Sequence, residues 1–412
     1  MISVERMRRP DDYIDTMTRI FEEESWSAAE YAAPLLSVNG PHSQAKCLQV
    51  HDFGSRVDRA FVPFETFDSI CCLHIQVLYY ISANNFEDAY KTQIQIIQLI
   101  NTELMQKMKE SNWYMPIFYA TSRDLIQLAK LADENADMED TEGEETSFYE
   151  ESAKYIMECY RSCVTDASKN PNITKKISML NMTNQLFRIY FKINKLNLLK
   201  PLIRAIDNAG PLQAHFSMAD RVTYNYYLGR KAMFDGELIL AEKSLTYAFR
   251  NCPTTQGHNK RLILTFLIPV KMFLGHMPKT ELLRKYKLDS FVEVVEAVKE
   301  GHLTRLDGAL RNNEDFFINC GLYLILEKLR AITFRTLFKK VALMVGESRI
   351  PLAGFMIAVQ LQELDDVDED EIECIVATLV SEKKIKGYIS HSHQILVLSK
   401  QQPFPPLSSI TP

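Results

Sequence analysis

Fixed positive charge is the chemistry that the end of this sequence concentrates. Arg330, Arg335, Lys339 and Lys340 fall within eleven residues, and Lys383, Lys384 and Lys386 within four. Brought together, such groups neutralise several phosphates at once, an attraction that depends on salt and reads a nucleic-acid backbone rather than its bases. The plainer alternative is a rim of solvated cations. Covalent chemistry finds no comparable footing. The sequence has no Gly-x4-Gly-Lys-Ser/Thr loop, no Gly-x-Ser-x-Gly elbow and no His-Glu-x-x-His helix, the arrangements that cradle phosphates, expose a nucleophile or hold zinc. His391 and His393 flank one serine, a poor geometry for chelation, and the carboxylates of Asp365–Glu373 lack the glycine and final glutamate of a calcium loop. No enzyme activity and no cofactor are expected.

Those cations need elements to hold them. Phe334–Val345 has helical spacing of Leu337, Phe338, Val341 and Leu343; Arg349–Pro351 suits a short strand, and Leu352–Leu361 a second helix. Asp368-Glu-Asp-Glu371 has the form of a capping box opening a third helix, with Ile372, Ile375, Val376 and Leu379 on its apolar face. KGYISHSHQILVLS gives two β-rich runs around a polar turn at His391–Gln394. Helix, strand, helix, helix, hairpin is the order of a winged helix. Sequence-specific DNA reading is disfavoured, because the third helix would lead into the major groove with Asp368, Glu369, Asp370 and Glu371.

Upstream, the pattern predicts paired helices. Asn84-Asn85 forms a turn before Ile94, Ile97 and Ile100; further helices are predicted over Ile117–Leu131, Tyr149–Cys163 and, around a turn at Asn194–Asn197, over Asn184–Asp207. A tetratricopeptide pattern finds Leu228-Gly229, Ala241, Leu245, Ala248 and Pro253, with its aromatic positions replaced. Small residues there would let two antiparallel helices approach closely. The expected fold is mainly α: a tetratricopeptide-like helical-repeat solenoid followed by a C-terminal winged helix. The expected division is N-terminal repeats over 1–210 with an acidic insertion at 132–153, further repeats over 211–330, the winged helix over 331–402 and a tail over 403–412.

Apolar residues make up 46% of the 412, enough to fill the cores of about two or three domains. The longest apolar candidates, such as Leu262–Val270, are far short of a membrane span, and this one is flanked by Lys260, Arg261 and Lys271. Arg6, Arg8 and Arg9 are followed by Asp11, Asp12 and Asp15 rather than by an apolar stretch. Neither a secretory signal nor a membrane partner is expected, and the protein reads as intracellular. Cys159 and Cys163 share a helical face, but none of the eight cysteines forms a Cys-x-x-Cys pair, so reduced core thiols are expected. The net charge of −6 conceals segregation: Ala132–Ala153 holds ten acids and no base, Lys154–Lys231 thirteen bases against four acids, and Gly346–Glu373 nine acids against Arg349. The densely acidic Asp133–Glu151 reads as a solvated loop.

A helical stack running into a winged helix is the organisation of the PCI domain, and the resemblance goes further. NQLFRIYFKINKLNLLKPLIRAID, RVTYNYYLGRKAMFDGELILAEKSLTYAF, NKRLILTFLIPVKMFLGHMP and KGYISHSHQILVLSKQQPFPPL resemble the PCI subunits of the TREX-two transcription-export complex. The likeness spans residues 180–407, is looser over 50–130 and scarcely touches the first 45. It implies a nuclear protein of messenger-RNA export at the nuclear pore, paired with a large export-scaffold subunit and holding a small acidic, disordered protein. It also implies a joint basic surface of two winged helices for RNA or DNA, to which Arg335, Lys339, Lys340, Lys383, Lys384 and Lys386 correspond by position. The basic Lys154–Lys231 stretch would attract an acidic peptide. The alternative is a purely structural PCI subunit of a proteasome-lid, signalosome or translation-initiation type of assembly.

Overall fold

A computed structural model describes residues 10–49, 65–108, 110–135, 147–168, 170–364 and 367–410. The chain divides into two compact units, Met1–Tyr224 and Asn225–Pro412.

The first unit is helical: α1 (Pro10–Glu23), α2 (Trp26–Ala32), α3 (Glu65–Ser82), α4 (Phe86–Leu99), α5 (Met115–Asn135), α6 (Phe148–Val164), α7 (Met179–Lys192) and α8 (Leu199–Asp207). The predicted turns start and stop these helices. Asn84 takes a left-handed φ of 57°, and the side chain of Asn85 caps α4 by accepting from the Asp88 amide at 3.2 Å. Asn194, at φ 55°, breaks α7 from α8. Beyond Leu99, α4 loosens into a π-helical stretch, Ile100–Lys107.

The acidic stretch is not simply a loop. α5 runs on to Asn135, Ser147 caps α6, and the Asp133 carboxylate accepts from the Phe148 and Tyr149 amides at 2.8 and 3.0 Å. A carboxylate there satisfies amides that have no intrahelical partner, so charge that looked like loop composition is partly capping. Residues 136–146 of that stretch lie outside the described residues.

The boundary expected near residue 210 falls instead within α9 (Met218–Phe234), after Tyr224. Gly210-Pro211 opens a 3-10 turn over Gly210–His215. The Asp220 that follows receives hydrogen bonds from the Asn181 and Asn184 side-chain amides, both at 2.9 Å.

The second unit continues with α10 (Leu238–Asn251), α11 (Gly257–Phe273), α12 (Thr280–Lys285), α13 (Val292–Glu300), α14 (Leu303–Asn312), α15 (Glu314–Asn319) and α16 (Tyr323–Glu327). The tetratricopeptide-like hairpin is present. A Cβ on Gly229 would lie 2.5 Å from Leu245 Cγ, so glycine lets this part of α9 touch α10. The winged helix follows in the predicted order: α17 (Leu329–Val345), β1 (Arg349–Pro351), α18 (Leu352–Gln360), α19 (Glu369–Ser381), β2 (Gly387–Ser390) and β3 (Ile395–Leu398). The antiparallel sheet has the order β1-β3-β2, with Arg349 opposite Val397 and Val397 opposite Tyr388. Its inner face joins a core of Phe338, Ile350, Phe355, Ile372, Val376 and Leu396. Asp368 caps α19, accepting from the Glu371 amide at 2.8 Å, as its sequence form predicts.

Two buried sites in the first unit respond to acid in opposite senses. His42 and His74 approach Nε2 to Nε2 at 2.8 Å; burial pulls His42 down to about 4 and His74 well below its ordinary value. Acidification charges these rings in the unfolded chain first, so their contribution to stability is lost as pH falls below about 6.5. Asp124 accepts from the Val38 amide and the Ser37 hydroxyl at 2.9 and 3.2 Å, and burial pushes its carboxyl up to about 7. Its folded form takes up the proton first, which offsets the histidine loss over the same window. Asp124→Asn removes the offset. From pH 7 to 5, denaturant titration of this variant is expected to lose about 2 kcal/mol more stability than the wild type; equal losses would contradict the assignment.

Candidate nucleic-acid interface

The seven predicted cations occupy three different environments in the second unit. Arg335 is buried, at 8% exposure. Its Nε donates to the Lys384 carbonyl at 2.9 Å, its Nη2 to the Pro405 carbonyl at 2.5 Å, and its guanidinium lies 5.8 Å from the Phe404 ring centre. Desolvation pulls its pKa below the usual arginine value. Arg335 therefore takes no part in an exposed phosphate-binding face; it is a clasp between α17, the turn after α19 and the chain terminus. The predicted tail is part of the fold for the same reason. Pro403 accepts from the Lys386 amide at 2.7 Å, and Phe404 packs against the winged-helix core.

Three further cations are engaged at their tips. Arg330 forms a forked pair with Asp307 at 2.8 and 2.9 Å. Lys384 pairs with Glu382 at 2.6 Å, and Lys340 donates to the Glu300 carbonyl at the end of α13 at 2.7 Å. Lys339, Lys383 and Lys386 remain: all are exposed, and none of their side-chain ammonium groups has a hydrogen-bond or ion-pair partner among the described residues. Lys339 follows Arg335 by one helical turn and so shares its face of α17. Arg335 in turn holds the carbonyl of Lys384, which puts that face beside the 383–386 turn. What remains open is a smaller set of cations than the sequence suggests, Lys339 on α17 and Lys383 and Lys386 at the turn after α19.

Lys383 sits at φ +60°, a left-handed conformation that a side chain disfavours. Gly387 begins β2 because a Cβ there would meet the Val397 carbonyl oxygen at 2.4 Å. Charge also varies along the wing. At its tip the Glu373 carboxylate receives His391 Nδ1 at 2.9 Å, which raises the His391 pKa, and Gln394 Nε2 at 3.3 Å. His393 Nδ1 instead meets the Ser390 and Ser392 hydroxyls at 3.1 and 2.9 Å, so the two imidazoles face different partners. Among the described residues, no three His, Cys, Asp or Glu side chains converge as a metal site. Of the eight cysteines, Cys71, Cys159, Cys163 and Cys252 are buried, Cys47, Cys72 and Cys320 are half-buried, and Cys374 is exposed rather than in the core.

A model of the PCI domain matches residues 310–400, from within α14 to just beyond β3. The chain is also 54% identical over 409 residues to a PCI domain-containing protein 2 homolog of Caenorhabditis briggsae, covering 98% of this chain and 99% of that one. It is 44% identical over 381 residues to PCI domain-containing protein 2 of Danio rerio, covering 92% of this chain and 94% of that one. The chain belongs to the PCI domain-containing protein 2 family. Likeness to the family therefore reaches nearly the whole length, including the N-terminal region where the sequence reading found little. PCI proteins are in general structural assembly subunits rather than enzymes, and the domain mediates protein–protein assembly. Among the described residues, no helix is long and apolar enough to cross a membrane.

Two outward residues of the PCI winged helix, Arg349 and Tyr388, are not among the predicted site residues, although the alternation of β2 already turns Lys386, Tyr388 and Ser390 to one side. Removing the clasp and removing a patch charge should have different consequences. Arg335→Ala leaves buried carbonyls without a donor and is expected to cost about 2 to 4 kcal/mol of unfolding free energy. Lys383→Gly relieves the left-handed backbone and is expected to leave Tm within about 2 °C of the wild type. Thermal melts of both variants check this; an Arg335→Ala protein as stable as the wild type would contradict the clasp.

Proposed function

We propose that this PCI protein is a non-enzymatic adaptor of a nuclear messenger-RNA export complex, acting in the nucleus and at the nuclear pore. It docks a large export-scaffold subunit and a small acidic, disordered protein. Through Lys339, Lys383 and Lys386 it grips the backbone of RNA or DNA without reading sequence. The observation that carries this reading is three exposed lysines, one on α17 and two at the turn between α19 and β2, whose side chains have no acidic partner among the described residues, in a chain whose net charge is −6. An acidic protein should tie up surface lysines; these are left open. In the first unit Arg161, Lys192, Lys200 and Arg204 are exposed on α6, α7 and α8, which supports attraction of an acidic peptide to that stretch.

A second reading, a purely structural subunit of a lid, signalosome or initiation-factor type, has its own support. Leu343, Met344 and Leu361 are 72%, 86% and 81% exposed at the ends of α17 and α18, and apolar side chains so placed suit a protein neighbour.

The test combines partners and salt. Affinity purification of the endogenous protein with mass spectrometry is expected to recover export factors; recovery of lid, signalosome or initiation subunits instead would favour the second reading. In the assembled complex, a Lys339→Glu, Lys383→Glu, Lys386→Glu variant is expected to assemble normally. It should bind RNA at least roughly tenfold more weakly, and its salt dependence should flatten by about one unit of slope for each lost contact. An unchanged salt titration would remove the lysines from the interface.

A further inference from the structure

We propose that Tyr388 is a base-stacking platform, which makes the outer face of the wing a site for single-stranded nucleic acid in preference to duplex. This rests on the backbone-gripping reading above and adds to it a residue, a contact type and a ligand class.

Tyr388 is 63% exposed in the middle of β2, and its side chain makes no hydrogen bond or ring contact among the described residues. An aromatic ring held outward on a sheet, rather than folded over a neighbour, offers its whole face to a partner. Its surroundings favour a nucleotide. Val397, directly opposite on β3, is half-buried and apolar, and Arg349 lies beyond it in the same row on β1. With neighbouring strands about 4.8 Å apart, the Arg349 and Tyr388 backbones are roughly 10 Å from each other, within reach of an arginine side chain. Arg349 is exposed and without an ion-pair partner among the described residues. On the other side Lys386 precedes Tyr388 by two residues and so shares its face of the strand.

A ring flanked on both sides by cations is the arrangement that binds a single strand: bases stack on the aromatic face while the phosphates meet the charges. In a duplex the bases are stacked on each other and unavailable to the ring. The charge gradient of the wing fixes where the strand lies. Glu373 and the acidic start of α19 sit near the tip, while Lys383 and Lys386 sit at the base. A polyanion is repelled from the first and drawn to the second, which brings it across Tyr388.

The test uses the full-length chain recovered with its native partners and three probes of equal length: an oligoadenylate strand, the same strand made abasic, and a duplex. Tyr388→Ala is expected to weaken the oligoadenylate roughly 5- to 100-fold, leave the abasic strand and duplex unchanged, and keep its partners. Tyr388→Phe should retain wild-type affinity, and Lys386→Glu should weaken all three probes. Tyr388→Ala binding oligoadenylate as tightly as the wild type would overturn the stacking assignment and leave the backbone reading standing. A wild type that binds no probe would overturn both. Loss of a co-purifying protein on Tyr388→Ala, with RNA affinity unchanged, would make the ring a protein contact and also overturns the proposal.

Discussion

The winged helix of this protein is held together at its most charged place by a cation that solvent hardly touches. Arg335 reaches from α17 to two backbone carbonyls, of Lys384 and Pro405, in stretches 49 and 70 residues away in sequence. A buried guanidinium is tolerated only where its donors find acceptors, because desolvating an unpaired charge is costly. That requirement fixes three segments at once. It sets the turn from which Lys383 and Lys386 project, aligns the start of β2, and draws residues 403–407 onto the core. The turn that carries the exposed Lys383 and Lys386 is tied down by an arginine that is itself buried.

Much of this was legible in the sequence where the cause is local. Asp368 lies three residues before Glu371, so the cap of α19 could be read directly; the hairpin followed from alternating residues about a polar turn. Gly229, Ala241 and Ala248 announced a close helix approach through residue size alone. What could not be read depends on distant partners. Arg335 resembles its neighbours Arg330 and Lys339 by type, and arginine is usually exposed; only the carbonyls supplied by other segments make it a core residue. The same holds for Asp307, which occupies Arg330, and for Asp133, whose capping role was hidden in a run of like charge. The helices α1 to α3 and α11 to α16 were not separately assigned. Several of the latter are only five or six residues long, too short for apolar periodicity to declare itself.

The candidate site was legible as composition and not as geometry. Seven cations were picked out by clustering, and packing sorts them: one is a clasp, three are engaged by a carboxylate or a carbonyl, and three remain open. Engagement of the others is not waste. Lys340 on the last carbonyl of α13 sits at the negative end of a helix dipole, and the Arg330–Asp307 fork joins α17 to α14. Fixing these side chains leaves Lys339 open on α17, and Lys383 and Lys386 open at the base of the wing, away from the acids at its tip. Membership of the PCI domain-containing protein 2 family accounts for the assembly role of such a fold; the open lysines are what an assembly role alone does not require.

Lysine footprinting of the purified complex tests that distinction most directly. With single-stranded RNA bound, acetylation of Lys339, Lys383 and Lys386 should slow sharply, while Lys91 and Lys130, exposed and paired within their own helices in the first unit, should react as before. Uniform protection, or protection confined to the first unit, would contradict the account.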